Sequence, residues 1–180
     1  LRLKIWSAVV FLLISLPLAG SYLFNKTHVG WLIESVPDSI AYKDNWQTII
    51  NNLTEVEHPA VIHLLPENCL CRVLSAKHAG QITVQAQSAG FNVFQLNSGD
   101  SSLGQRVSAP DINTPFSPAI AITRDDGTLA YVGAYSDGIR CNTGTSMVDQ
   151  FLESPASLPA RTVVGLDVQT CRCLNSAGHL

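Results

Sequence analysis

The sequence predicts an α/β domain behind an N-terminal apolar helix, and three observations carry that prediction. From Ile5 to Phe24 no residue is charged. A strand-like run, Ala60-Val-Ile-His-Leu-Leu65, leads through Pro66 into a helix-compatible stretch and then a second strand, Phe91 to Leu96, with alternating apolar and polar residues. Further on, Ala119 to Thr123 and Thr128 to Val132 flank Asp125-Asp126-Gly127, a hairpin whose Asp-Gly step supplies the positive φ of a tight turn.

The N-terminal run is long enough to cross about 30 Å of hydrocarbon at about 1.5 Å per residue. Residues 1–4, with Arg2 and Lys4, form a cytoplasmic N-terminus, and residues 5–24 form a transmembrane anchor. Only Lys26 follows closely, so the positive-inside rule sends the rest of the chain across the membrane. The expectation is a single-pass inner-membrane protein with its C-terminal domain in the periplasm, an oxidising compartment. A cleaved signal sequence ending near Leu18-Ala19-Gly20-Ser21 is the alternative reading.

Residues 25–40 show no sustained periodicity and read as a tether, leaving 41–175 as the domain. Of the 180 residues, roughly 135–150 then remain to build a core, a size that suits one domain. A net charge of −3 and a pI near 5.9 offer no basic stripe, so nucleic acid is not expected as a partner. No phosphate-binding glycine loop, dinucleotide fingerprint or internal repeat is present.

Within the domain, Trp46, Ile49, Ile50 and Leu53 recur at helical spacing from Ala41 onward. The helix after Pro66 runs through Arg72 to Ala89, with Gly80 and Thr83 as points where it can kink, and Gly90 closes it. Strand, helix and strand make one crossover unit. Residues 103–117, which contain Pro110 and Pro115, are irregular, and Thr145 to Glu153 reads as a short helix stopped before Pro155.

The chemistry lies in the five cysteines. Cys69 and Cys71, in Pro66-Glu-Asn-Cys-Leu-Cys-Arg72, open the helix that follows the first strand. A helix N-terminus carries partial positive charge and free N–H groups, which stabilise a thiolate and lower its pKa. A second pair, Cys171 and Cys173, ends the chain in Thr170-Cys-Arg-Cys-Leu174, and Cys141 is the odd cysteine. Two Cys-x-Cys pairs also supply thiolates enough for a tetrahedral zinc or a copper(I) site, formed by Cys69, Cys71, Cys171 and Cys173; a resemblance to thioredoxin-fold proteins that deliver copper with two cysteines and a distant histidine would add His78 or His179. A disulfide-stabilised interaction domain without catalysis is the third reading.

The order of these features, with Ser117-Pro118 opening the apolar hairpin and Gly133 ending it, resembles the thioredoxin superfamily over about residues 41–154. It is similar to a group of membrane-anchored thioredoxin-like proteins. The resemblance implies a thioredoxin-like fold, a central mixed sheet flanked by helices, and thiol–disulfide oxidoreductase activity on protein thiols or disulfides without a cofactor. By that resemblance Cys69 attacks and Cys71 resolves, Pro118 follows a cis peptide bond beside the nucleophile, and the Ser117 backbone docks the partner chain. His63 occupies the strand position of a buried proton-accepting carboxylate, although a strand histidine satisfied by its surroundings is the preferred reading. Cys171 and Cys173 are a possible second redox pair. The one-residue spacer departs from the family's usual two, so a Cys69–Cys71 ring requires Cys69 to lie before the first helical turn.

Overall fold

The computed structural model describes residues 2–36, 38–66, 69–96, 101–109, 118–138, 143–171 and 173. Helix α1 (Arg2–His28) runs directly into a short strand β1 (Val29–Trp31) and one helical turn α2 (Leu32–Ser35), and α3 (Ser39–Asn51) follows. Strand β2 (Ala60–Leu64), helix α4 (Leu70–Ser88) and strand β3 (Asn92–Leu96) form the crossover unit, after which come β4 (Gln105–Val107), the hairpin β5 (Ala119–Thr123) and β6 (Leu129–Gly133), β7 (Val163–Gly165) and β8 (Gln169–Cys171).

Six strands make a mixed sheet in the order β4-β3-β2-β5-β6-β7. Strand β2 lies inside it, parallel to β3 and antiparallel to β5, and all of its residues are buried. Alternation along β2 sends Ala60, Ile62 and Leu64 into the core under α3, with Tyr42, Trp46, Ile49 and Ile50. Val61 and Leu65 enter the core under α4, with Ala79, Ile82 and Ala86. The sheet is thus covered by helices on both faces. Periodicity predicts these elements because each buries a regular stripe.

Local chemistry sets the boundaries. Asp38 caps α3 by accepting from the N–H groups of Ile40 and Ala41, each at 2.9 Å. The β5–β6 turn closes with Gly127 at φ +79° donating to the Arg124 carbonyl at 3.0 Å. Gln47 of α3 clamps that hairpin, donating to the Gly127 carbonyl at 3.0 Å and accepting from the Leu129 N–H at 2.9 Å.

Three expectations need correction. Residues 25–40 are not a bare tether, because Leu32 and Val36 are buried in the α3-side core and the Leu32 and Ile33 N–H groups donate to the carbonyls of Val168 and Leu166 at 3.1 Å. Helix α4 runs unbroken through Gly80 and Thr83, with Thr83 Oγ1 donating within the helix to the Ala79 carbonyl at 3.0 Å. The helix expected over 145–153 is a series of short turns that includes Asp149–Phe151, folded so that Val148, Phe151 and Leu152 reach the α4-side core. There the burial of those side chains overrides helix propensity.

Gly133 sits opposite Gly165 in the β6–β7 ladder, with φ +153°, and a Cβ on it would meet the Gly165 carbonyl. Gly133→Ala is therefore expected to cost about 1–3 kcal/mol by overpacking, read as a lowered urea midpoint, and an unchanged midpoint would show that β7 does not hold this register.

Candidate functional site

The site forms where β2 delivers the chain to α4. Cys69 is the N-cap of α4, in extended conformation (φ −130°, ψ 127°), and its own side chain makes no capping hydrogen bond. Cys71 lies one residue inside the helix and is fully buried, whereas Cys69 is half-buried. The required placement of Cys69 before the first turn is met, but the pairing is not Cys69–Cys71. Cys69 is bonded to Cys173 and Cys71 to Cys171, each with Cα atoms 5.7 Å apart. The expectation of a local ring is corrected by a contact between segments about a hundred residues apart, which spacing within one motif does not reveal. Cys141 lies outside the described residues.

Strand β8 brings the second motif into place. It pairs with β1 alone in a two-stranded antiparallel ribbon, with Cys171 opposite Val29 and Gln169 opposite Trp31. Phe24, near the end of α1, packs against the cysteine cluster. The cluster therefore joins the start of α4, the C-terminal strand and the end of the apolar helix. The Sγ atoms of Cys69, Cys71 and Cys173 lie within 4.8 Å of one another, and Cys171 is bonded to Cys71. Such a cluster is suited to disulfide exchange when oxidised and to thiolate coordination of a metal when reduced. His78 is not in this group, and His179 lies outside the described residues.

Pro118 is buried and precedes Ala119, which pairs with Leu64, so Pro118 sits at the same end of the sheet as Cys69. Ser117, and with it the Ser117–Pro118 peptide bond expected to be cis, lies outside the described residues. Among the described residues the cis bond is His58–Pro59.

His63 takes the satisfied role. It is fully buried and stacked on Tyr135, with Nδ1 2.8 Å from the Tyr135 hydroxyl and Nε2 3.1 Å from Thr83 Oγ1. Thr83 spends its hydroxyl proton on the Ala79 carbonyl. Nε2 of His63 must then carry the proton that reaches Thr83, and Nδ1 accepts from Tyr135. Burial, reinforced by nearby His78, pushes the imidazole pKa down to about 3, so His63 is neutral and is no base at neutral pH. His78 is also buried, with neither ring nitrogen in a well-formed hydrogen bond. Burial lowers its pKa against the opposing pull of Asp149, the Tyr135 backbone and Gln81. Gln95, beside His63 across the β2–β3 pair, is buried, and neither of its amide atoms has a hydrogen-bond partner among the described residues. Sequence reasoning did not find Tyr135, Thr83 and Gln95, because their link to His63 is purely tertiary.

The chain matches the family described as a domain of unknown function, DUF6436, over residues 40–175, and it belongs to that family. No curated protein and no solved structure matches it.

A neutral His63 has a pH signature. Its folded pKa of about 3 lies below the ordinary 6.5, so the unfolded chain binds a proton that the folded chain refuses. The stabilisation is fully present above pH 6.5 and is lost as pH falls toward 3, at up to about 1.4 kcal/mol per pH unit. Urea midpoints measured between neutrality and acid should fall in that window, and less steeply for His63→Phe. Equal slopes would show that His63 is protonated in the folded protein.

Proposed function

We propose that this family member is a membrane-anchored thiol–disulfide oxidoreductase of thioredoxin type, working in the periplasm from a single-pass inner-membrane helix. The observation that supports it most is the convergence of both Cys-x-Cys motifs on the N-terminus of α4, with Cys69 the least buried of the described cysteines. Helix α1 contains a span, Lys4–His28, long and apolar enough to cross a membrane, which supports the anchor.

In the reduced protein the Cys69 thiolate, stabilised by the first-turn N–H groups of α4, attacks a substrate disulfide. One substrate sulfur leaves as a thiolate and a mixed disulfide forms. The Cys173 thiolate then attacks Cys69, releasing the second substrate sulfur and restoring Cys69–Cys173, so two electrons pass to the substrate. Run in reverse, the same steps oxidise a substrate dithiol. Cys71 was expected to resolve, but Cys173, the partner of Cys69, is the better fit. Pro118 and the Ser117 backbone would hold the partner chain beside the sulfur in strand-like pairing, a role that rests on the resemblance.

The Cys71→Ser, Cys173→Ser double variant should accumulate reductant-sensitive mixed disulfides through Cys69, seen on non-reducing gels and absent when Cys69→Ser is added. Absence of adducts in the double variant would remove the exchange reading.

A second reading is favoured by the proximity of the sulfurs of Cys69, Cys71 and Cys173. Reduced, with Cys171, they would hold zinc or copper(I) for binding or delivery. On that reading the reduced protein takes up one metal ion per chain, protects these four thiols from alkylation, and loses the ion in Cys171→Ser. Reduced protein that stays metal-free and fully alkylatable would exclude it.

A further inference from the structure

We propose that the cluster contains a second, internal exchange step in which Cys69, once freed by reduction, attacks Cys71 and releases the C-terminal strand β8 from α4. This inference rests on the thiol–disulfide exchange reading above and adds a role for Cys71 and Cys171 that the reading does not need.

The two cross-links differ in access. Cys71 and Cys171 are 0% and 1% exposed and Cys173 is 8% exposed, whereas Cys69 is half-buried. An incoming dithiol therefore meets Cys69 first. Its thiolate attacks the Cys69 sulfur, Cys173 leaves as a thiolate, and the reductant's second thiol attacks its own mixed disulfide to free Cys69. Two electrons have entered, the reductant has become a disulfide, and Cys71–Cys171 is intact.

Cys69 is now a thiolate at the N-terminus of α4, where positive helix-end charge favours the ionised form. Its sulfur lies within 4.8 Å of the Cys71 sulfur, so attack needs no large rearrangement and runs at intramolecular effective concentration. The extended N-cap conformation of Cys69 places it outside the helix, which a bond to the residue two positions on requires. The Cys69–Cys71 bond forms, the Cys71–Cys171 bond breaks, and Cys171 leaves as a thiolate that takes up a proton. No electrons are gained or lost in this step. The product holds a local Cys69–Cys71 ring and free thiols at Cys171 and Cys173.

The isomerisation changes what holds β8 in place. Before it, two bonds tie the second motif to α4. After it, β8 keeps its ladder with β1, the anchoring of the preceding Leu166 and Val168 in the α3-side core, and hydrogen bonds such as Gly138 N–H donating to the Gln169 carbonyl at 2.7 Å and Gln169 N–H donating to Asp137 Oδ1 at 3.1 Å. A two-stranded ribbon alone is marginally stable in water. Strand β1 continues directly from α1, and Phe24 of α1 rests on the cluster. The oxidation state of the cysteines thus reaches the end of the membrane helix.

The test uses the full-length oxidised chain in detergent. Thiols free at the start are blocked with iodoacetamide, a dithiol is added in steps, and samples are quenched in acid, labelled with N-ethylmaleimide and mapped by mass spectrometry. The expected two-electron species carries label on Cys171 and Cys173 and retains a Cys69–Cys71 bond. Label on Cys69 and Cys173, or on Cys69 and Cys171, would mean that a bond between the motifs survives, and either overturns the proposal. So does a Cys171–Cys173 bond with label on Cys69 and Cys71, which would assign the attack to Cys173. So does a direct passage to four labelled cysteines with no two-electron species. If native oxidised protein takes no electrons from the dithiol while denatured protein does, the exchange reading itself fails, and that result is distinct from all the others. Hydrogen exchange on the two-electron species supplies an independent readout. The Gln169–Cys171 amides should exchange about tenfold faster than in the oxidised chain, and unchanged protection would overturn the release of β8.

Discussion

The crosswise bonding of two Cys-x-Cys motifs is the constraint on which the arrangement of this protein turns. Its cross-links span 104 and 100 residues. In the chain-entropy account, closing a loop of about 100 residues stabilises a fold by about 4.7 kcal/mol. Once one bond exists, however, the other closes a ring of only a few residues, and the same account assigns it about 2 kcal/mol. A chain that needed only a staple would gain more by placing its second bridge elsewhere. On the exchange reading, the redundancy has a use in what adjacent disulfides can do to each other.

The sheet makes that adjacency possible. Strand β2 is buried along its whole length with a helix on each face, so its C-terminal end is a rigid platform from which Pro66 leads to Cys69. Beneath α4 the same rigidity carries a polar file: His63, Tyr135 and Thr83 satisfy one another, whereas Gln95 and His78 keep buried atoms without well-formed bonds. An unsatisfied buried polar group costs about 1–3 kcal/mol. The α3-side core is not free of buried polar atoms either, since it encloses Trp46 Nε1 and the Tyr42 hydroxyl beside Ile50 and Ile62.

Much of this architecture is legible in the residues. Trp46, Ile49, Ile50 and Leu53 announce α3 by spacing, the apolar run at 60–65 announces β2, and Asp126-Gly127 announces the hairpin turn, because each of these signals is local. What escapes a linear reading is every partner chosen at a distance. Nothing in Pro66–Arg72 shows that Cys69 will meet Cys173, and nothing around His63 shows that Tyr135 and Thr83 will claim both ring nitrogens. Residues 29–36 are hidden for a related reason. Leu32 and Val36 are too few to make a periodic stripe, yet the Val168 and Leu166 carbonyls hold that segment down on the core.

Burial separates Cys69 from the other described cysteines in a way that chemistry can use. Thiol–disulfide exchange needs one sulfur an incoming thiolate can reach, and a metal site needs all four as thiolates at once. These demands belong to different oxidation states of one geometry. On the exchange reading, a cluster that covers Cys71 and Cys171 and leaves Cys69 half-buried takes up reductant at Cys69 first. A coordinating cluster has no use for that gradient, since every ligand bonds to the same ion. If the domain faces an oxidising compartment, as proposed above, the disulfide form is the resting one, and the asymmetry between Cys69 and its buried neighbours is then an argument for the exchange reading over the metal reading.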